Sequence, residues 1–156
     1  MIRNATVDDL PEILSMIREL AEYEKALDEV RATEEQLRRA LFGESPAAYA
    51  HIAETADGEV VGYAVWFLNF STWRGVHGIY LEDLYVRPTA RGGGHGKALL
   101  TELARTCVRQ GYQRLEWSVL KWNKPSIDFY ESLGARPQDE WHVYRLTDNA
   151  LEKLGS

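Results

Sequence analysis

Tyr80-Leu-Glu-Asp-Leu-Tyr-Val-Arg-Pro-Thr-Ala-Arg-Gly-Gly-Gly-His-Gly-Lys97 is the stretch that decides the fold. Ile79–Val86 is rich in aromatic and branched residues and reads as a strand. Pro88 has no N–H to give a ladder and pushes Arg87 to an extended conformation, so the strand stops there. Past the glycine run, Leu99, Leu100, Leu103, Ala104 and Cys107 recur at helical spacing, which predicts a helix from Lys97. A strand, a glycine loop and a helix start point several backbone N–H groups and the positive end of a helix dipole at one spot. That arrangement suits a phosphate.

Two familiar phosphate loops do not fit. A nucleoside-triphosphate loop needs glycine where Arg91 stands and Ser or Thr where Ala98 stands. A dinucleotide fingerprint started at Gly92 or Gly94 needs glycine where Lys97 or Leu99 stands. The pattern present is Arg-x-x-Gly-x-Gly at Arg91, Gly94 and Gly96, directly after Val-Arg-Pro. It resembles the acetyl-CoA pyrophosphate loop of the GNAT superfamily of N-acetyltransferases.

Composition bounds the remaining choices. A chain of 156 residues predicts one domain, 1–156, with a real core. Eighteen basic against 24 acidic residues give a formal charge of −6, which argues against nucleic acid and is compatible with a cationic substrate. The N-terminus carries no basic segment followed by an apolar run, and no 18-residue apolar stretch occurs, so neither secretion nor a membrane is expected. The single cysteine, Cys107, has no internal disulfide partner, so a reducing, cytoplasmic setting is expected. With no CxxC, HExxH or His/Cys cluster, no metal is expected.

In chain order, Ile2–Ala5 reads as a strand. Thr6 caps a helix whose stripe Leu10, Ile13, Leu14, Ile17, Leu20 and Ala21 carries it to about Lys25. Thr33-Glu-Glu-Gln36 is a capping box for a second helix that ends at Gly43. Asp57-Gly58 joins two strand-like runs, Ala48–Ala56 and Glu59–Leu68, as a hairpin. Residues 69–77 read as a polar, aromatic loop, and Arg114–Leu120 as a strand. Asn123 caps a helix closing at Gly134, Trp141–Leu146 alternates as a final strand, and Thr147–Leu154 reads as a short helix. An early hairpin with later strand–helix–strand crossovers predicts an α/β fold with a mixed sheet.

Three further segments narrow the resemblance: Ile17-Arg-Glu-Leu-Ala-Glu-Tyr-Glu-Lys25, Ser71-Thr-Trp-Arg-Gly75 with Ile79–Asp83, and Trp122-Asn-Lys-Pro-Ser-Ile-Asp-Phe-Tyr-Glu-Ser-Leu-Gly-Ala135. Together they are similar to the diamine (spermidine/spermine) N-acetyltransferases and their thialysine N-acetyltransferase relatives, over residues 2–147. The resemblance implies a GNAT-type, mostly antiparallel mixed sheet flanked by helices, acetyl-CoA as co-substrate and a homodimer. Trp141–Leu146 is the plausible interface element. It also implies that main-chain groups of Leu84, Tyr85 and Val86 hold the pantetheine arm. Arg91, Gly92, Gly93, Gly94, His95, Gly96 and Lys97 take the pyrophosphate, and Asn123, Lys124, Pro125 and Ser126 form a second CoA segment. Tyr23, Glu24, Glu82, Glu116, Trp117 and Ser118 are the amine contacts it implies. His95 departs from the family pattern, where an aliphatic residue is usual.

Acetyl transfer to an amine needs a base, an oxyanion donor and an acid for the leaving thiolate. An amine of pKa ~10.4 is unprotonated only about once in 10³ at neutral pH, so the base or a proton wire is required. Glu82, mid-strand and upstream of the phosphate loop, is the candidate base and cation contact. Asp83 falls on the opposite face of a regular strand, and only a bulge would bring it into the site. Tyr130 is the candidate acid, since a phenol stays protonated at neutral pH. The alternatives are acetylation of a protein lysine or N-terminus, and a CoA-binding regulator without turnover. Tyr130 and Glu82 argue against the regulator, which needs neither.

Overall fold

The computed structural model describes all residues from 1 to 156. The chain forms two compact units, Met1–Ser118 and Val119–Ser156. The first contains a five-stranded sheet in the order β1 (Ile2–Asn4), β2 (Tyr49–Glu54), β3 (Val60–Ser71), β4 (Val76–Val86) and β5 (Leu115–Trp117). Strands β1 to β4 pair antiparallel, and β5 joins β4 in parallel. The helix of the β4–β5 crossover is α3 (His95–Gln110), as a parallel pair requires. This is the mixed sheet that the element order predicts, mostly antiparallel as the resemblance implies.

Helices α1 (Leu10–Tyr23) and α2 (Glu34–Phe42) cover one face. Ile13, Met16 and Leu41 from these helices form a buried cluster with Ile52, Tyr63 and Tyr85 of the sheet. His51 neighbours Ile52 on β2 and so points the other way, where it feels the charge of Glu102 on α3. Leu99, Leu100 and Leu103 of α3 are buried on that second face. Each such side chain contributes about 1.5–3 kcal/mol by leaving water, so the helical stripes fix the order of the layers.

Local signals set the element ends. Thr33 Oγ1 accepts from the Gln36 N–H at 3.2 Å, and Gln36 Oε1 accepts from the Thr33 N–H at 3.0 Å, which closes the capping box. At the start of the chain, the Thr6 N–H donates to Asp9 Oδ2 at 2.7 Å. Arg3 grips the same carboxylate with two hydrogen bonds, 2.8 and 2.9 Å, and reaches Glu54 at 3.0 Å. Gly94 precedes α3 at φ 80°, a left-handed conformation that strains any other residue type, and the helix begins at His95 instead of Lys97.

Three expectations are corrected. Residues 69–77 are not a loop: β3 runs to Ser71, β4 starts at Val76, and only four residues connect them. The polar composition hides a cross-strand aromatic pair, Phe70 and His77, with ring centroids 5.3 Å apart. The fifth strand keeps only Leu115–Trp117 of the expected Arg114–Leu120. Within the second unit, α4 (Lys124–Ser132) and α5 (Asp148–Leu154) form as read, but Trp141–Leu146 is not a strand. Val143 and Tyr144 are 85% and 94% exposed there. Alternation assigns faces only where a neighbouring strand supplies the ladder, and none pairs with this segment.

Candidate active site

The site is organised by an irregularity in β4. Val65 pairs with Asp83 and the next residue, Trp66, pairs with Leu81, so Glu82 is the extra residue of a β-bulge. Glu82 is exposed at the bulge. Asp83 is turned to the face that carries Tyr63 and Tyr85, against the expectation for a regular strand. Tyr63 donates its hydroxyl proton to Asp83 Oδ2 at 2.7 Å.

An acidic, aromatic cluster forms there. Glu24 sits just past the end of α1, where the next residue, Lys25, is left-handed at φ 62°. A carboxylate meets the negative end of the helix dipole at that position, so Glu24 does nothing for the helix. Burial pushes the Glu24 carboxyl up, and the Asp83 charge adds to the push. Burial also pushes the Asp83 carboxyl up, against the hydrogen bond from Tyr63, which favours the ionised form. The Tyr63 phenol, fully buried beside that acid, is raised far above its ordinary value. Arg91 places its guanidinium carbon 5.6 Å from the Tyr23 ring centroid and 5.9 Å from that of Tyr85. Thus Tyr23, Glu24, Tyr85 and Arg91, singled out in the sequence, gather around Asp83 and Tyr63.

Sequence reasoning missed Tyr63, and it left Asp83 outside the site unless a bulge intervened, which is what β4 contains. The available signal was register: Tyr63 opposes Tyr85, which places both rings on one face of the β3–β4 pair. A backbone contact fixes that register, because a Cβ at Gly62 would stand 2.8 Å from the Tyr85 carbonyl oxygen.

The phosphate-loop residues lie at the start of α3 as expected. Gly92 and Gly94 both have positive φ, 86° and 80°, and His95, Gly96 and Lys97 form the first turn. The first N–H groups of a helix have no intrahelical acceptor, so this turn presents donors. An open depression of about 420 Å³ beside it is lined by Gly94, Lys97, Ala98, Thr101 and Arg105, among others. Upstream, β5 pairs only with Ile79, Tyr80 and Leu81, so within the sheet Leu84, Tyr85 and Val86 are paired to β3 alone.

The β5 candidates make a separate group. Asn69 donates to Glu116 Oε1 at 3.1 Å, and an Arg114 nitrogen lies 3.7 Å from the same oxygen. Ser118 and the Tyr80 hydroxyl are 2.6 Å apart, and Trp117 is half-buried. In the second unit Asn123 is buried at the N-cap of α4, and its carbonyl accepts from the Ile127 N–H at 3.0 Å. Lys124 is tied to Asp128 at 3.0 Å. Pro125 and Ser126 fill the first turn, and Tyr130 is half-buried on the same helix, its ring 5.6 Å from that of Phe129.

The sequence profile of the Acetyltransferase (GNAT) family matches residues 11–135. The chain belongs to the GNAT family. Thialysine N-epsilon-acetyltransferase of Bos taurus is 43% identical over 99% of this GNAT chain and 96% of its own length. Spermidine/spermine N(1)-acetyltransferase-like protein 1 of Homo sapiens is 35% identical over 96% of the chain, though over only 23% of that longer protein. Among solved structures, the integron cassette protein VCH_CASS6 from the mobile metagenome of V. cholerae superposes with a TM-score of 0.82 at 28% identity, covering 99% of this chain and 96% of that one. The GNAT chain is accordingly an N-acetyltransferase, resembling the thialysine and spermidine/spermine enzymes. None of its helices is long and apolar enough to cross a membrane.

Proposed function

We propose that this enzyme moves an acetyl group from acetyl-CoA to a primary amine of a small cationic substrate, of the diamine, polyamine or thialysine type, by direct attack. The observation that carries the reading is the acid cluster of Asp83, on the strand leading to the glycine loop, and Glu24, at the end of α1. Two carboxylates raised by burial, Glu24 also by the charge of Asp83, form a pole that a cation relieves. The relatives named for thialysine and for spermidine/spermine support the same reading. The whole chain, residues 1–156, works in this proposal as one acetyltransferase domain in the cytoplasm.

The thioester of acetyl-CoA supplies the activated acetyl group. Residues Arg91–Lys97 hold its pyrophosphate through the donors that start α3, and Asn123, Lys124, Pro125 and Ser126 make the second contact. Leu84, Tyr85 and Val86, paired to β3 alone, offer main-chain groups to the pantetheine arm. Tyr23, Glu24 and Glu82 take the ammonium end, with Glu116, Trp117 and Ser118 along the substrate. Glu82, exposed at the bulge, removes the amine proton directly or through water. The new C–N bond forms, the C–S bond breaks, and Tyr130 gives its phenolic proton to the thiolate. A metal has no part in this scheme.

The test is CoA release with a panel of small amines, comparing wild type with Tyr130→Phe. Turnover with diamines or thialysine is expected, and Tyr130→Phe should lower kcat by about 10²–10⁴-fold with acetyl-CoA affinity nearly intact. Near wild-type kcat in that variant, where chemistry limits the rate, reduces Tyr130 to packing. Silence with every small amine points instead to a protein lysine or N-terminus. We further propose a homodimer, with the exposed Trp141–Leu146 segment in its interface. Light scattering should give twice the 17.8 kDa chain mass, and a monomer at assay concentration rejects it.

A further inference from the structure

Tyr63 is fully buried, yet its hydroxyl is not needed to fill the core, since the ring alone packs against Ile13, Met16 and Tyr85. A buried hydroxyl costs free energy unless it is bonded, and this one is bonded to a carboxylate, Asp83 Oδ2, at 2.7 Å. The groups facing Asp83 are Tyr63 from β3, Glu24 from the end of α1 and Tyr85 from its own strand. Arg91 lies farther out, over the Tyr85 and Tyr23 rings. A guanidinium in the place of Tyr63 would hold Asp83 equally well, but it would cancel the charge that a cationic ligand needs. A neutral phenol orients the carboxylate and favours its ionised form without neutralising it.

We propose that Tyr63 is a positioning residue for the substrate: it fixes Oδ2 of Asp83 so that the ionised carboxylate, together with Glu24, accepts the ammonium group of the amine. This rests on the amine-acetylation reading above. Because Asp83 must be ionised to act, amine capture weakens as pH falls through its raised value, and the Tyr63 hydrogen bond holds that limb lower than burial alone would. Arg91, against the Tyr23 and Tyr85 rings, stands at the edge of the same cluster.

The experiment compares wild type, Tyr63→Phe, Asp83→Asn and the double variant. It follows the Asp83 carboxyl by ¹³C NMR, assigned with Asp83→Asn, and the pH dependence of kcat/KM for the best amine of the panel. Losing a hydrogen bond to a charged group should raise the Asp83 pKa by about one to two units in Tyr63→Phe and move the acidic limb by the same amount. Below that limb KM for the amine should rise about 10–100-fold, while kcat at saturating amine and acetyl-CoA affinity stay put. In the Asp83→Asn background Tyr63→Phe should be silent. A folded Tyr63→Phe protein whose Asp83 resonance and acidic limb do not move overturns the assignment, whatever the substrate. If Tyr63→Phe does not fold, Asp83→Asn decides, and an unchanged acidic limb there overturns the assignment too. Wild-type protein that turns over no amine overturns the amine reading and this role with it. Turnover with an unmoved limb removes only the role of Tyr63.

Discussion

Asp9 and Asp83 are both withdrawn from water on the first unit, and their carboxyls move in opposite directions. Asp9 receives two hydrogen bonds from Arg3 and one from the Thr6 backbone, and these hold it below the usual carboxylate range despite its burial. Asp83 receives a neutral phenol, with another acid nearby, and burial wins. The first carboxylate has its counter-charge supplied by the fold and works as a staple between the chain start, α1 and β2. The second has its geometry supplied but not its counter-charge. A fold that leaves a buried acid without a cation has left room for a cation from outside.

The largest effect expected from this contrast is on stability. Asp9→Ala removes two hydrogen bonds from the Arg3 guanidinium, which keeps only the Glu54 carboxylate, and opens the Thr6 turn, and should cost about 2 kcal/mol in urea unfolding with no change in KM for the amine. A loss below about 1 kcal/mol would put the pair in the class of exposed ion pairs and erase half of the contrast.

A smaller effect sharpens it through pH. Asp9 is lowered on folding, so its contribution is complete above the unfolded value of about 3.9 and is lost as pH falls through its lower folded value. Asp83 is raised, so between about 3.9 and its folded value the folded chain binds the extra proton, and stability falls as pH rises across that window. Urea midpoints of Asp83→Asn should therefore gain on wild type from pH 4 toward neutrality. The deficit of Asp9→Ala should instead shrink below about pH 4. Parallel pH curves for wild type and Asp83→Asn would contradict the raised carboxyl.

The sequence reveals these two acids unequally. Thr6 and Asp9 lie three residues apart, and a cap at that spacing is local chemistry that can be read without knowing the fold. The same holds for Pro88, the glycine run and the leucine stripe, which place the end of β4, the loop and the start of α3 to within two residues. Asp83 depends on a bulge, and the bulge depends on how ten residue pairs of β3 and β4 settle against each other. That is tertiary information. Trp141–Leu146 fails for the converse reason, because its alternation is real but pairing belongs to the neighbour and not to the segment. Tyr130 and the Asn123–Ser126 turn are visible as a helix start from capping alone, and as chemistry only through family likeness.

Glu82 also acts on the strand as an inserted letter acts on a reading frame. Tyr80 stands opposite Phe67 and Asp83 opposite Val65, so these two residues share a face although three positions separate them. Leu81 and Leu84 share the other face in the same way. Upstream and downstream of Glu82 the strand therefore follows opposite parities, each consistent within itself. Many side chains fit at this position, because the bulge needs a residue there more than it needs this one. Deleting the residue is another matter. It would merge the two frames and turn one half of the strand inside out, exchanging Ile79 and Leu81 for Gly78 and Tyr80 against the core, or else sending Asp83 and Tyr85 to the side of α3.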